Sequence, residues 1–141
     1  MPTRAKLDLS GFEEYLEELV KAGADIDLAA DEALAAGADV LVAGMKRRAP
    51  FGLIRNAIGR TGIMRDGNKH YVYIGVLRDA GPEVGRIAAV WEFGGRDTPG
   101  PGGRKPRPGL EAHPFIRPTF RSDSGKAKAA IEAVFREWLN K

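Results

Sequence analysis

Apolar positions in the N-terminal half recur at helical spacing. Ser10-Gly-Phe-Glu13 has the form of a capping box, in which the Ser10 hydroxyl and the Glu13 carboxylate satisfy free backbone N–H groups reciprocally. Phe12, Leu16, Leu19 and Val20 follow, predicting a helix over about residues 11–22 with Gly23 as its stop. Asp27 is the candidate cap of a second helix with an apolar face of Ala30, Ala33, Leu34, Gly37, Leu41 and Met45. Lys46, Arg47 and Arg48 in its last turn complement the helix dipole, and Pro50 ends it.

The periodicity then changes. Residues 50–62 read as a loop with a weak helical or extended piece. Around Asp66-Gly67-Asn68, the segments Thr61–Arg65 and His70–Leu77 carry strand alternation, with Tyr71, Tyr73 and Gly75 on one face and Val72, Ile74 and Val76 on the other. That is a β-hairpin. Gly81-Pro82 is a break, and Ile87–Phe93 is an apolar run compatible with a short helix or a strand. From Gly94 to Gly109 the chain is dominated by Gly and Pro with Arg96, Arg104, Lys105 and Arg107 between them, a composition that builds no core and predicts a flexible basic excursion over 95–109. Beyond it, Ala127, Ile131, Val134 and Trp138, widened by Phe135 and Leu139, predict an amphipathic helix over about 124–139. The expected fold is α+β. N-terminal helices and the C-terminal helix pack on a small, mainly antiparallel sheet in a single domain spanning residues 1–141.

Composition narrows the chemistry. The 141 residues include no cysteine, which removes disulfides, thiolate catalysis and Cys-based zinc sites. Met1–Leu9 has no apolar run of the kind a secretory signal needs, and Ala33–Met45 is too short and interrupted by Asp39 to span a bilayer, so a soluble chain with no membrane association is expected. Charge is distributed unevenly. Residues 1–45 hold three basic against ten acidic groups, a net of −7, whereas residues 46–70 hold seven against one, a net of +6. Residues 96–121 add a further net of +4. Blocks of opposite sign attract each other within a subunit or between neighbours.

No catalytic constellation accompanies these blocks. His70 and His113 read as surface or loop histidines, and Ser10, Ser122 and Ser124 stand in no nucleophile-elbow context. Ser124-Gly125-Lys126 resembles a phosphate loop only superficially, since Ala127 replaces the hydroxyl residue and Phe120 the first glycine. Glu13, Glu14, Glu17 and Glu18 read as a solvated helix face rather than a metal site. The basic residues leave a nucleic-acid-binding module as a rival reading, without a helix-turn-helix, zinc module or aromatic ladder to support it. No enzyme activity, cofactor or metal is expected.

Two short pieces flank the Gly/Pro-rich segment: Val90-Trp91-Glu92-Phe93-Gly94 before it, and His113-Pro114-Phe115-Ile116-Arg117-Pro118-Thr119-Phe120 after it. In the second, the prolines stiffen the chain, Pro118 suits the first position of a helix, and Phe115 and Phe120 are anchors. Rigid aromatic anchors beside such a segment suit a docking surface and are equally compatible with ordinary core.

The order of these pieces, behind an N-terminal helical region ending in Ala49-Pro50 and a β-hairpin, resembles the small tail-component or tail-completion proteins of long-tailed bacteriophages. The chain departs from that pattern in three places: a longer stretch precedes Thr61-Gly62-Ile63-Met64, Gly95 stands where Thr is usual, and Thr119 where Ala is usual. The resemblance implies a non-enzymatic virion protein of the neck, acting in tail completion or head-tail joining, assembled in the host cytoplasm. It implies a homo-oligomer, a hexameric ring around the DNA channel. Its neighbours would be a head-closure or connector protein and a tail-terminator or tail-tube protein, and any contact with channel DNA would be non-specific. A minor tail or capsid subunit elsewhere in the particle is the alternative. The residues expected to serve assembly are Trp91, Glu92, Phe93, Gly94, Arg104, Lys105, Arg107, Pro114, Phe115, Arg117, Pro118 and Phe120.

Overall fold

The computed structural model describes residues 3–94 and 111–141. In chain order the described elements are β1 (Arg4–Asp8), α1 (Glu13–Lys21), α2 (Ile26–Arg48), α3 (Gly52–Ala57), β2 (Ile58–Arg60), β3 (Met64–Asp66), β4 (Lys69–Val76), α4 (Pro82–Phe93) and α5 (Ile116–Leu139), with a single 3₁₀ turn at Arg78–Ala80. The fold is α+β, with five α-helices and a four-stranded antiparallel sheet among the described residues.

β4 is the centre of the sheet. β1 pairs along one edge, from Arg4 opposite Gly75 to Asp8 opposite Tyr71, and β2 and β3 pair with β4 as well. Ile58 faces Val76 and Met64 faces Tyr71, so six steps on one side match five on the other. The extra residue is absorbed between β2 and β3, where Thr61 hydrogen-bonds Tyr73 through both its N–H and its side-chain oxygen. The predicted hairpin is present and reaches back to Ile58.

α2 lies between the sheet and α5. Its buried positions, from Ala29 and Ala30 through Leu34, Leu41 and Met45, sweep a broad arc instead of a narrow stripe. One side meets the sheet face formed by Val72, Ile74 and Val76, all buried. The other side is cut down to glycine. A Cβ on Gly37 would stand 2.8 Å from Ile131 Cδ1, and one on Gly44 would strike the Asp123 carboxylate and stand 2.8 Å from Thr119 Cγ2. Two glycines seven residues apart therefore form the groove in which α5 is seated.

Several expectations on the N-terminal elements are corrected. Ser10 does not cap α1: the N-cap is Phe12, the Glu13 side chain accepts from the Gly11 N–H, and Asp8 accepts from the Ser10 N–H. Asp25, not Asp27, caps α2 by accepting from the Leu28 N–H. Arg4–Asp8, for which no element was predicted, is a strand because Ala5 and Leu7 alternate with charged residues along the edge of β4.

Residues 50–62 resolve into α3 and β2, and the ambiguous run before Gly94 is a helix, α4, that starts with Pro82. α5 begins at Ile116, well before the expected 124, so Pro118 is its third residue, not its first. The excursion expected over 95–109 lies outside the described residues.

Candidate functional site

The segments flanking residues 95–110 meet around one buried carboxylate. Glu92 sits in the last turn of α4 with no exposure to solvent. Its Oε1 accepts from the N–H groups of Phe115 at 2.9 Å and Ile116 at 2.7 Å, and its Oε2 from the Arg117 N–H at 3.2 Å and the Arg117 Nε at 2.9 Å. The Arg117 guanidinium also donates to the Glu92 carbonyl.

An α-helix leaves about four N–H groups at its start without intrahelical partners. In α5 these belong to Phe115, Ile116, Arg117 and position 118. Glu92 takes the first three, and Pro118 has no N–H to satisfy. A helix whose own sequence offers no side-chain cap is thus started by a carboxylate from another helix, placed where the dipole favours negative charge. Thr119 and Phe115 close the turn from the other side, the Thr119 hydroxyl donating to the Phe115 carbonyl at 2.6 Å.

Aromatic packing holds the same junction. Trp91 meets Phe51 edge-on with ring centroids 5.6 Å apart and packs against the His113 ring at 5.2 Å. The His113 N–H donates to the Trp91 carbonyl at 2.6 Å, so the returning chain is pinned to the end of α4. The Arg117 guanidinium lies over the Phe93 ring, 5.1 Å from its centroid.

The predicted residues therefore divide. Trp91, Glu92, Phe93, Gly94, Pro114, Phe115 and Arg117 converge at this clip. Glu92, Gly94 and Phe115 are buried, Trp91, Phe93 and Pro114 are half-buried, and Arg117 is exposed. Pro118 belongs to the first turn of α5, and Phe120 is half-buried one turn along the same helix. Arg104, Lys105 and Arg107 lie outside the described residues.

Two further polar clusters escaped the sequence reading. Asp123 on α5, nearly fully buried, takes Arg48 at 2.9 Å and Arg47 at 3.1 Å from the end of α2, and Arg48 also donates to the Gly44 carbonyl and the Thr119 hydroxyl. The Arg48 hydrogen bond holds the Asp123 carboxyl below its ordinary value of 3.8 against the opposing effect of burial, with the charges of Arg48 and Arg47 assisting.

His70 is not a surface histidine. It is buried beside the turn of the β3–β4 hairpin, with Nε2 3.1 Å from Asp27 and Nδ1 3.0 Å from Asp31. Arg65 binds Asp31 at 2.6 Å. Burial works to raise the Asp31 carboxyl, but hydrogen bonds from Arg65 and His70 overcome it and leave the group below 3.8. With Arg60 on Asp39 at 2.9 Å, these pairs join part of the acidic N-terminal block to part of the basic middle block inside one subunit.

Among the described residues no group of three or more His, Asp or Glu side chains is arranged to hold a metal ion, and no helix is long and apolar enough to cross a membrane. His113 packs on Trp91, and Glu13, Glu14, Glu17 and Glu18 point into solvent. The polar groups brought together by the fold are spent on starting helices and joining elements.

Residues 10–94, more than half of the chain, match the HK97-gp10-like family, described as "Bacteriophage HK97-gp10, putative tail-component". The chain belongs to this family of phage tail components, which gives it a structural role within the virion. The match takes in Glu92-Phe93-Gly94 and ends there, so the Pro114–Phe120 element lies beyond it. No curated protein and no solved structure matches the chain.

Proposed function

We propose that this tail component acts at the neck of the particle, completing the tail or joining it to the filled head, as a subunit of a hexameric ring around the DNA channel. It works by docking and not by catalysis, with no cofactor. Its neighbours are further copies of itself, a head-closure or connector protein, and a tail-terminator or tail-tube protein. It is assembled in the host cytoplasm.

The observation that carries this reading is the Glu92 clip. The described residues on either side of the basic Gly/Pro-rich sequence are held to each other, Glu92 accepting from the Phe115 and Ile116 N–H groups and the His113 N–H donating to the Trp91 carbonyl. Held this way, the Trp91, Phe93 and Arg117 side chains are presented in fixed directions at one junction, which lowers the ordering cost of docking a partner there. Exposed basic side chains such as Arg55, Arg121 and Lys128 would meet passing DNA through phosphates alone.

Particles produced without this protein should accumulate as filled heads and separate tails, and labelled protein should be seen at their junction in complete particles. Joined, infectious particles formed in its absence would overturn the reading. Label confined to another part of the tail would support a minor tail subunit instead. Any DNA affinity should be weak, indifferent to sequence and steeply reduced by salt.

A further inference from the structure

The sheet has one face on α2 and one face without a covering element among the described residues. On the open face and its adjoining end, a groove of about 420 Å³ runs beside Tyr73, with Met64 and Leu77 among its apolar lining and Arg4, Arg60 and Arg78 around it. Asp79 is the acidic residue in that lining. Arg60 is already paired with Asp39, whereas Arg4 lies over the Tyr73 ring, 4.2 Å from its centroid, and neither Arg4 nor Arg78 makes an ion pair among the described residues. Apolar floor, cationic rim and unspent charge describe a receptor for an acidic amphipathic segment.

The chain carries such a segment. In α1, Phe12 and Leu19 face the core, while Glu13, Glu17 and Val20 share an outward stripe at i, i+4 and i+7. Val20 is 60% exposed, the most exposed of the large apolar side chains among the described residues. Glu13, Glu14, Glu17 and Glu18 make no ion pair there either. The acidic and basic blocks neutralise each other in part within the subunit. α1 keeps acidic side chains without an ion pair among the described residues and the groove keeps Arg4 and Arg78, on two surfaces that share no residue.

We infer that α1 of one copy docks in the sheet groove of the next, Val20 entering between Met64 and Leu77 and Glu17 reaching Arg4 and Arg78. The contact is heterologous: each subunit offers one surface to one neighbour and the other surface to the next, which generates a ring when the rotation closes. It rests on the ring reading above and specifies which faces make the ring. Because the attraction lies between partly exposed charges, association weakens as salt rises.

The absence of cysteine makes a direct test available. Val20→Cys copies are mixed with Met64→Cys copies under mild oxidation or with a short bismaleimide, and covalent dimers are sought. The mixture should crosslink, while each variant alone should not. Glu17→Lys and Arg78→Glu should each weaken self-association at least tenfold with unchanged circular dichroism, and mixing the two reversed variants should recover part of the loss. Crosslinking of Val20→Cys with itself would show an isologous contact and overturn the inference. Oligomers that form normally, do not crosslink and ignore both reversals would overturn it while leaving the ring intact. Protein that is monomeric both in solution and within particles would overturn the ring and the inference together.

Discussion

Two buried carboxylates, Glu92 and Asp123, stand near the start of α5, and they are satisfied in different ways. Glu92 binds three backbone N–H groups and one guanidinium, so most of its partners cannot move without unwinding the helix. Asp123 binds Arg48 and Arg47, and the Arg47 side chain is 60% exposed. Guanidiniums on long, partly solvated stems can turn away to water. The first site defines where a helix begins and where the chain re-enters the fold; the second fastens two helices already formed. The same chemical group thus specifies geometry at one site and adds cohesion at the other.

Removing Glu92 should give the largest loss. Glu92→Ala leaves three N–H groups and the Arg117 guanidinium without their acceptor, and stranding partners of a buried pair costs about 3 to 5 kcal/mol. Against a domain stability of about 5 to 15 kcal/mol, urea unfolding should show a sharply lowered midpoint, and soluble yield should fall. Phe115→Ala, emptying a fully buried ring position at the same junction, should cost a similar amount, about 3 to 5 kcal/mol. If Glu92→Ala unfolded at the parental midpoint, the contrast between the two carboxylates would vanish.

Crowding the second site should cost less. Gly44→Ala places a methyl group against Asp123 and Thr119, an overpacking that typically costs about 1 to 3 kcal/mol, read by the same denaturation. Gly37→Ala, whose methyl group meets Ile131 Cδ1 and Cγ1 at 2.8 Å and the Ala127 carbonyl oxygen at 3.3 Å but no charged group, should be the milder of the two.

Asp123→Asn should have the smallest effect near neutral pH and a diagnostic one in acid. Because the folded-state carboxyl is held below 3.8, its contribution is fully present above that value and is lost as pH falls through the depressed one. Melting temperatures of the parent should therefore decline more steeply below about pH 4 than those of Asp123→Asn. Parallel curves would show that the Arg48 pair adds no pH-dependent stability.

The same contrast explains what the sequence made legible. α2 and β4 were readable because their burial follows local periods, Ala30 to Met45 along one helix and Val72, Ile74 and Val76 along one strand. The β1 strand has the same alternation in Ala5 and Leu7, but it pairs with β4 across more than sixty residues of sequence, and a short charged stretch announces no such partner. The apolar spacing from Ala127 to Trp138 marks α5 only from about 124, whereas its start at Ile116 is imposed by Glu92, 23 residues before Phe115.

One signal for that cap was present: a lone carboxylate inside the apolar run Ile87–Phe93 must find buried donors. The N-caps of α1 and α2 each lie two positions from the expected residue: Phe12 precedes α1 without any side-chain cap, and Asp25 and Asp27 are equivalent as local patterns, separated only by backbone geometry. His70 was read as exposed because its burial depends on Asp27 and Asp31, which α2 brings to the hairpin.

Amide hydrogen exchange at Phe115, Ile116 and Arg117, compared between the parent and Glu92→Gln, tests most directly whether a distant carboxylate starts α5. Glutamine keeps the size of the side chain but turns one acceptor into a donor, so these three amides should exchange much faster in the variant while Ile131 and Phe135 in the same helix stay protected. Equal protection of all three amides in both proteins would contradict the account.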